Sequence, residues 1–397
     1  MTKDLLSIAF LLLIPTTSST LGDWNADLIA VGSLSGTAKD ATSEAIELEE
    51  GTPTNQIGGF SAIEYAGQDN LFWVLADRGP ADGAASYPCR THLISLEPNL
   101  ETKTITPKVI KSVFLKDRSG ETLLGALTSV PKERHERGYA LDPEGIRLLP
   151  DGDFLISDEY GPGIDRFSRD GLRKQTYTLP QWMALTREPS LATATEGTMP
   201  NRGLEGLALD STGRFLVGAM QGPLIQDSYP KKEKRFGNHA RLIQLDLTQE
   251  SKQFHGMKQF LYPLTRIETG ISEILAVDSS RYLVLERDSK KGKDAVIKAI
   301  YLIDISGSSD VANIEKIPSG ELPETIRPVS KSLAINLMSP NYGFDGASAP
   351  EKPEGIAWGK PLEDGRRTLW VCFDNDFQSN VDSLFFLFAI NEQEIKR

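Results

Sequence analysis

The chain has 397 residues, of which 39% are hydrophobic, with 34 Gly and 23 Pro, a composition typical of a turn-rich globular protein. It carries 55 acidic against 43 basic residues, for a net charge of −12. That balance argues against nucleic acid or an anionic membrane as a partner, and it favours bound cations or a substrate held by a local Arg cluster.

Residues 1–20 have the pattern of a secretory signal peptide, with Lys3 before an apolar run and small residues after it. The apolar run is too short to span a bilayer, and we expect no stable membrane insertion. The sequence predicts a secreted or periplasmic protein whose residues 21–397 form one domain. A buried N-terminal strand or helix is the alternative. Export permits a disulfide between Cys89 and Cys372 but does not establish one.

Five later segments align with one another, and each reads as a β-hairpin of two apolar runs joined by turn formers such as Pro150-Asp151-Gly152. The segments are residues 58–80, 142–162, 201–223, 270–289 and 352–376. A third strand is predicted after each hairpin, in THLISLEP, IDRFSRDG, RLIQLDL, KAIYLIDI and SLFFLFAI. A fourth is predicted in KVIKSVFL, KQTYTLP, KQFLYPL and ANIEKIP.

Four strands per unit predict an all-β fold, a β-propeller of four-stranded blades. The last unit lacks a fourth strand, and the segment ADLIAVGSLSG near the N-terminus is the candidate that completes it and closes the ring. Five blades are counted, and a sixth built from residues 120–140, 182–202 and 318–352 stays open. A solenoid or a sandwich is the competing fold.

The hairpins also predict where carboxylates meet. A residue at the start of the first strand and one at the end of the second lie at the same end of an antiparallel pair. We therefore expect one ring of acids at the channel mouth, made of Glu64, Glu144, Glu205, Glu273 and Glu354, surrounded by Asp77, Asp158, Glu159, Glu286, Asp374 and Asp376.

Converging carboxylates raise one another's pKa unless a cation lies between them. Such oxygen-rich clusters suit Ca²⁺ above other ions. The candidate metal ligands are Glu64, Glu144, Glu205, Glu273, Glu354, Asp77 and Asp374. Arg78, Arg202 and Arg287, each beside an acid in sequence, can neutralise the acids or bind an anionic substrate. The alternative is that each Glu pairs with an Arg or with backbone N–H groups and only locks the ring.

Other catalytic motifs are missing from the sequence: it has no G-x-S-x-G elbow, P-loop, H-E-x-x-H or Rossmann fingerprint. The four histidines, which are His92, His135, His239 and His255, favour ordinary structural roles. The basic run PKKEKRFG, residues 230–237, is most simply a solvated loop, although it can overhang the channel and attract anions.

Several motifs taken in order resemble the family known for the esterase-like activity of phytase. They are GGFSAIEY, DPEGIRLLPDGDFLISDE, NRGLEGLALDSTGRFLVGAMQGPL, YLVLERD and PEGIAW, between Gly58 and Phe377. The resemblance implies an exported β-propeller that hydrolyses phosphoesters or esters. The sequence departs from the pattern at Ser61-Ala62 and at Ile271-Ser272-Glu273, where Gly-rich turns are expected.

Both lines lead to one hypothesis: an exported, Ca²⁺-assisted phosphoester hydrolase, monomeric, that acts on a small anionic ester. Glu144, Glu205 and Glu354 would hold the metal, the three arginines the phosphate, and Asp158 or Glu159 would act as general base. The alternatives are a non-catalytic ligand-binding propeller with a structural Ca²⁺, and a lactonase or carboxylesterase.

Overall fold

The computed structural model describes residues 24–41, 44–130, 140–161, 163–186, 188–248, 256–342 and 351–396. The signal peptide predicted at residues 1–20 therefore lies outside the described residues, as do His135 and His255. The described chain is all-β, with only short helical turns between strands.

Twenty-two strands are described. In chain order they are β1 (Ala26–Leu34), β2 (Phe60–Tyr65), β3 (Leu71–Ala76), β4 (Arg90–Asn99), β5 (Thr104–Phe114), β6 (Pro143–Leu148), β7 (Phe154–Asp158), β8 (Gly163–Phe167), β9 (Arg173–Thr178), β10 (Leu204–Leu209), β11 (Phe215–Met220), β12 (Tyr229–Lys231), β13 (Lys234–Phe236), β14 (His239–Asp246), β15 (Lys258–Pro263), β16 (Gly270–Ala276), β17 (Arg281–Arg287), β18 (Lys298–Asp304), β19 (Ser330–Asn336), β20 (Pro353–Trp358), β21 (Arg367–Phe373) and β22 (Ser383–Ile390). The helical segments are α1 (Pro80–Gly83), α2 (Glu392–Lys396) and 3-10 turns at Leu127–Ser129, Gln181–Met183, Ile225–Asp227, Gly292–Asp294 and Pro340–Tyr342.

Twenty of the strands form five units, each of four antiparallel strands, and β12 and β13 form a separate two-stranded sheet. Unit 1 is β2-β3-β4-β5, unit 2 is β6-β7-β8-β9, unit 3 is β10-β11-β14-β15, unit 4 is β16-β17-β18-β19, and unit 5 is β20-β21-β22-β1. Units 2, 3 and 4 are separate sheets, whereas units 1 and 5 join edge to edge into one eight-stranded sheet. The join is slight, because β5 and β1 share a single parallel bridge between Thr104 and Val31.

The N-terminal strand completes the last unit, as the sequence predicts. Strand β1 pairs antiparallel with β22 from Ala26 opposite Ile390 to Leu34 opposite Ser383. The chain therefore ties its N-terminal strand to its last strand, and the fourth strand missing from unit 5 is supplied from the other end of the sequence.

The first strands of the five units contact one another in a closed order, β2 to β6 to β10 to β16 to β20 and back to β2. Five apolar clusters fill the spaces between neighbouring units. Each cluster contains residues of two neighbouring units: Trp73 and Phe154, Leu155 and Leu216, Val217 and Tyr282, Leu285 and Val371, and Phe72 and Trp370. Each sheet is thus apolar on both faces, which explains why these strands read as continuous hydrophobic runs rather than alternating ones.

A β-bulge interrupts the pairing of the first and second strands at the same place in every unit. In units 2, 3 and 5 a Glu-Gly pair occupies the bulge. The glycines are required by space rather than by backbone angle, because a Cβ would collide with the first strand of the next unit. A Cβ on Gly145 would lie 2.8 Å from the Glu205 carbonyl oxygen, one on Gly206 2.6 Å from the Glu273 Cα, and one on Gly355 2.7 Å from the Ile63 nitrogen.

Two sequence predictions are settled differently by the structure. The segment ANIEKIP is not the fourth strand of unit 4, which is β19 instead. Ile317 packs with Leu261 of unit 3, and its backbone N–H donates to Asp227 over 2.7 Å, so this segment covers the outside of the neighbouring unit. The described parts of residues 120–140, 182–202 and 318–352 form no sixth four-stranded unit.

Substitution of Gly206 by Ala is expected to destabilise the protein by about 1–3 kcal/mol, because the new methyl group forces the first strands of units 3 and 4 apart. The urea midpoint of unfolding measures this. Gly307→Ala is the control, since that position has open space around it and should shift the free energy of unfolding by less than about 0.5 kcal/mol. Equal stabilities of the two variants would contradict the close approach.

Candidate functional site

The five bulges lie at one end of the first strands and contribute to one cavity of about 340 Å³. Its bulge residues are Ser61, Glu144, Glu205, Ser272 and Glu354. Three of the five predicted ring glutamates therefore converge, and serine takes the equivalent place in units 1 and 4. The bulge turns a side chain into the cavity while the residue after it packs against the next unit.

Glu64 and Glu273 do not join these three glutamates, so the alignment that placed them in the ring is wrong. Glu64 lies opposite Trp73, well inside the β2-β3 pair, and Glu273 falls one position beyond the unit-4 bulge residue. Both approach Arg147, at 3.6 and 3.1 Å. Glu273 also accepts the Leu207 N–H over 3.0 Å. For these two residues the structure favours the alternative in which a glutamate locks neighbouring units together.

Glu354 is held by a planar ion pair. Its carboxylate accepts two hydrogen bonds from Arg287, whose Nε also lies 3.0 Å from the Ser272 hydroxyl. Burial favours the neutral form of Glu354, but Arg287 and Lys352 outweigh burial and lower the pKa of this carboxyl group. Glu354 is therefore ionised at neutral pH. Arg287 is thereby neutralised by a carboxylate at the cavity wall.

Lys352 forms the other cationic centre of this wall. Its ammonium lies 2.6 Å from Asp374 and also contacts Asp376. Burial raises the pKa of Asp374 to about 6 against the opposing effect of Lys352. Asp77 lines the same wall, and burial together with Asp374 raises its pKa well above the ordinary value.

Behind the lining residue Glu144 lies a tight group of three carboxylates, of which only Glu144 itself lines the cavity. Asp142, Glu144 and Glu159 each offer an oxygen within 4.8 Å of the others. Arg78 donates to Asp142 over 2.6 Å and to Glu159 over 3.4 Å, and the Gly203 N–H donates to Glu159 over 2.6 Å. Burial, with Asp142 close by, raises the pKa of Glu159 to about 8.

Glu144 and Glu205 lie close together, between the carboxylate group around Asp142 and the wall that holds Glu354. Burial, and then the mutual approach to neighbouring carboxylates, raises the pKa of both well above the ordinary value. Glu205 also accepts a hydrogen bond from the Gln221 amide. Two such groups cannot both be ionised without cost, so they hold a proton or attract a cation.

Asp158 lies outside the cavity lining. Its carboxylate accepts the backbone N–H groups of Asp142, Tyr160 and Gly161, at 3.0, 3.1 and 3.3 Å. It therefore fixes the turn that carries Asp142 and Glu159. Glu286 is also withdrawn from the cavity, because Lys331 and Tyr262 hold its carboxylate at 2.6 and 2.7 Å.

Arg202 differs from the other two predicted arginines. It lines the cavity, yet among the described residues no carboxylate lies within ion-pair distance of its guanidinium, whose only hydrogen bond there is one of 3.5 Å to the Thr269 carbonyl. Burial lowers its pKa, but an arginine stays charged at neutral pH. Arg202 is thus available to an anionic ligand, whereas Arg78 and Arg287 already have partners.

The rim of the cavity is strained. Left-handed backbone angles, which cost energy in residues with a Cβ, occur at Ala81 and Asp82, at Asn201, and at Asp376 and Phe377, which follow the lining residue Asp374 in sequence. Asp82 and Asn201 themselves line the cavity. Strain of this kind gathers at functional sites, where the surrounding structure holds a loop in a fixed geometry.

Sequence reasoning missed Asp142, Lys352 and Gln221 as parts of the site. Asp142 lies two positions before Glu144, and Lys352 lies two positions before Glu354. A charged residue just before the first strand of a unit is the sequence pattern that could have identified both. Gln221 follows the second strand of unit 3, where two other units place Asp77 and Asp374. The two described histidines do not line the cavity: burial lowers the pKa of His92 to about 3, and His239 is buried elsewhere.

Comparison with known proteins supports an assignment. A model of the Phytase-like family, described as "Esterase-like activity of phytase", matches residues 55–377. A protein of Arthroderma benhamiae described as an uncharacterised secreted protein is 28% identical, over 85% of this chain and 83% of that protein. The expectation of a secreted or periplasmic protein agrees with that description. The described residues contain no helix that could cross a membrane.

Two solved structures align with much of this chain, with TM-scores below 0.5. An exo-β-1,3-galactanase from Clostridium thermocellum is 10% identical with a TM-score of 0.43, over 90% of this chain and 63% of that one. The tail fibre of Staphylococcus aureus phage P68 is 9% identical with a TM-score of 0.38, over 94% of this chain and 54% of that one. This chain thus spans between about half and two thirds of their lengths.

The raised pKa of Glu159 predicts a pH dependence of stability. Its pKa of about 8 in the folded protein lies above the ordinary 4.5, so its stabilising proton is lost as the pH rises from about 4.5 through 8. In chelator, Glu159→Gln should reduce the fall in the free energy of unfolding between pH 5 and 8.5 by about 1.4 kcal/mol or more. Exposed Glu363→Gln is the matched control, and identical slopes for both variants would contradict the assignment.

Proposed function

This chain belongs to the Phytase-like family, described as esterase-like activity of phytase, and from that membership we propose that it is an exported hydrolase of phosphoesters acting at the acidic cavity. The observation that carries the proposal is the convergence of Glu144, Glu205 and Glu354 on one cavity that also holds Arg202. The volume of about 340 Å³ suits a small ester.

We also propose that the five units are the blades of a β-propeller. The closed order of contacts among β2, β6, β10, β16 and β20 supports this, as does the set of five apolar clusters between neighbouring units. In this arrangement the pairing of β1 with β22 closes the ring, and the cavity lies at one mouth of the central channel.

The carboxylates fit a hard cation. Asp142, Glu144 and Glu159 supply oxygen atoms close enough together to share one ion, and oxygen donors are what Ca²⁺ binds. Burial, and then the approach of neighbouring carboxylates, raises the pKa of Glu144 and Glu159, and a bound cation would offset this cost of ionising them. When bound, Ca²⁺ would polarise a phosphoryl oxygen and make a nearby water more acidic.

The remaining roles fall to residues of the cavity wall. Arg202 would bind the phosphoryl oxygens, because its charge is not already neutralised. Glu205, whose pKa is raised by burial and by neighbouring carboxylates, would accept a proton from the attacking water at Oε2 while Gln221 holds its other oxygen. Of the two bases predicted from the sequence, Asp158 would position the loop rather than take the proton, and Glu159 would hold the cation. Glu205, predicted from the sequence as a metal ligand, takes the role of base in this proposal.

Calcium binding predicts a stability change that does not require turnover. Ca²⁺ at about 100 times its dissociation constant should raise the free energy of unfolding by about 2.7 kcal/mol at pH 8. The gain should be smaller at pH 5, where Glu144 and Glu159 are protonated. Glu144→Gln should lose most of the gain while Glu363→Gln keeps it. Equal calcium shifts in both variants would contradict this metal site.

Turnover tests the reaction itself. The protein should release nitrophenol from 4-nitrophenyl phosphate or its diester with Ca²⁺ present, and lose the activity in chelator. Glu205→Gln should lower kcat by about 100-fold or more while leaving calcium stabilisation in place. Absence of phosphoester turnover with every divalent ion would overturn the proposal. Turnover of lactones or carboxylic esters alone would identify the esterase alternative, and calcium stabilisation without any turnover the binding-protein alternative.

A further inference from the structure

A second cavity, of about 470 Å³, opens beside the acidic one. The two share part of their lining, namely Asn201, Arg202, Glu268 and Ser289. A molecule in the acidic cavity can therefore extend past Arg202 into the second cavity without leaving the protein surface. We call the second cavity the side cavity.

The side cavity has an apolar face. Its apolar lining residues are Leu191, Met199, Pro200, Phe236 and Val296. Met199 is buried, whereas Val296 is 45% exposed. Exposed apolar groups around a concave site, with a few charges among them, are typical of a place that binds the hydrophobic part of a small molecule.

The charges of the side cavity are mostly positive and mostly uncompensated. Arg202, Lys234, Arg266 and Lys290 line it, and among the described residues none of them has a carboxylate within ion-pair distance. Of its two acids, Asp288 is already engaged, because its carboxylate accepts the Val296 and Ile297 N–H groups. The side cavity therefore has the opposite charge preference to the acidic cavity next to it.

The basic segment at residues 230–237 builds one wall of this cavity. It forms the β12-β13 hairpin rather than a free loop. Arg235 anchors the hairpin by donating to the carbonyls of Leu191, Ala194, Ile225 and Ser228 at 2.8 to 3.2 Å. These hydrogen bonds fix Arg235. Its sequence neighbours Lys234 and Phe236 are thereby held in the lining of the side cavity.

We propose that the side cavity binds the alcohol half of the ester substrate, and that it selects an alcohol with an apolar body and a negative charge of its own. The phosphoester part of this inference depends on the proposed function, whereas binding of the alcohol does not. Phe236 and Val296 contact the apolar body, and Lys234, Arg266 and Lys290 bind the charge. Arg202 lies at the junction, where the ester bond is placed.

Binding of the two free alcohols tests the subsite without turnover. Calorimetry on the full protein in chelator should show 4-hydroxybenzoate binding at least ten-fold tighter than phenol. The variant with Lys234, Arg266 and Lys290 all changed to Gln should lose that preference. Lys232→Gln is the matched control, because it removes one charge from the same hairpin outside the cavity lining, and it should keep the preference.

Kinetics gives the second readout. The triple variant should lower the ratio of kcat/KM for 4-carboxyphenyl phosphate to that for phenyl phosphate by about ten-fold, and Lys232→Gln should leave the ratio unchanged. Comparing this ratio between the triple variant and the unsubstituted protein cancels the intrinsic difference in reactivity between the two leaving groups. If 4-hydroxybenzoate binds with the stated preference but neither ester turns over, the subsite stands and the hydrolase proposal fails. If phenyl phosphate turns over but no preference for the charged alcohol is found, the side cavity is not this subsite.

Discussion

The close approach of neighbouring first strands is the constraint on which the structure depends. At Gly145, Gly206 and Gly355 the next strand passes so near that no Cβ fits, and the last of these contacts returns to unit 1 at Ile63. The glycine supplies the space and the residue before it, on the bulge, turns into the cavity. A single dipeptide therefore does two things: Gly joins the units, and Glu delivers a carboxylate. The repeated Glu-Gly pair is explained by this combination rather than by chemistry or packing alone.

The close packing of the units also brings negatively charged side chains together, and cations of the site compensate part of their repulsion. Units that pack this tightly bring their bulge carboxylates within a few ångströms, where like charges raise one another's pKa. Arg287 and Lys352 compensate on one wall, since they hold Glu354 and Asp374. Arg78 compensates Asp142 behind Glu144. Burial raises the pKa of Glu144 and Glu205, and neighbouring carboxylates add to this because neither residue has a comparable ion pair among the described residues, whereas Arg287 and Lys352 outweigh burial and lower the pKa of Glu354. A bound proton or cation would therefore be most stabilising beside Glu144 and Glu205.

Sequence patterns predicted those features of the fold that depend on residues close together in the chain. Hairpins, four strands per unit and the completion of unit 5 by β1 follow from apolar runs and turn residues, and they are confirmed. The alignment failed where the Glu-Gly pair was replaced: Ser61-Ala62 and Ser272-Glu273 are the true equivalents, and nearby Glu64 and Glu273 drew the alignment away from them. ANIEKIP failed for another reason, since its isoleucines are buried by a neighbouring unit far away in sequence. Partners such as Arg147 for Glu273 depend on contacts between units, which no local pattern encodes.

The two adjoining cavities would let an acidic site admit the anionic ester that we propose as substrate. Carboxylates alone would repel a phosphate, and three of the four cations in the acidic cavity are already paired with them. Arg202 is the exception among the described residues, and it stands between the acidic cavity and the unpaired lysines and arginine of the side cavity. An anion approaching from the side cavity meets positive potential first and reaches Arg202 before it reaches Glu144 and Glu205. Because opposite charge preferences lie side by side, the proposed ester bond would lie at their boundary, with the carboxylates proposed to bind a cation on one side and the proposed charged alcohol on the other.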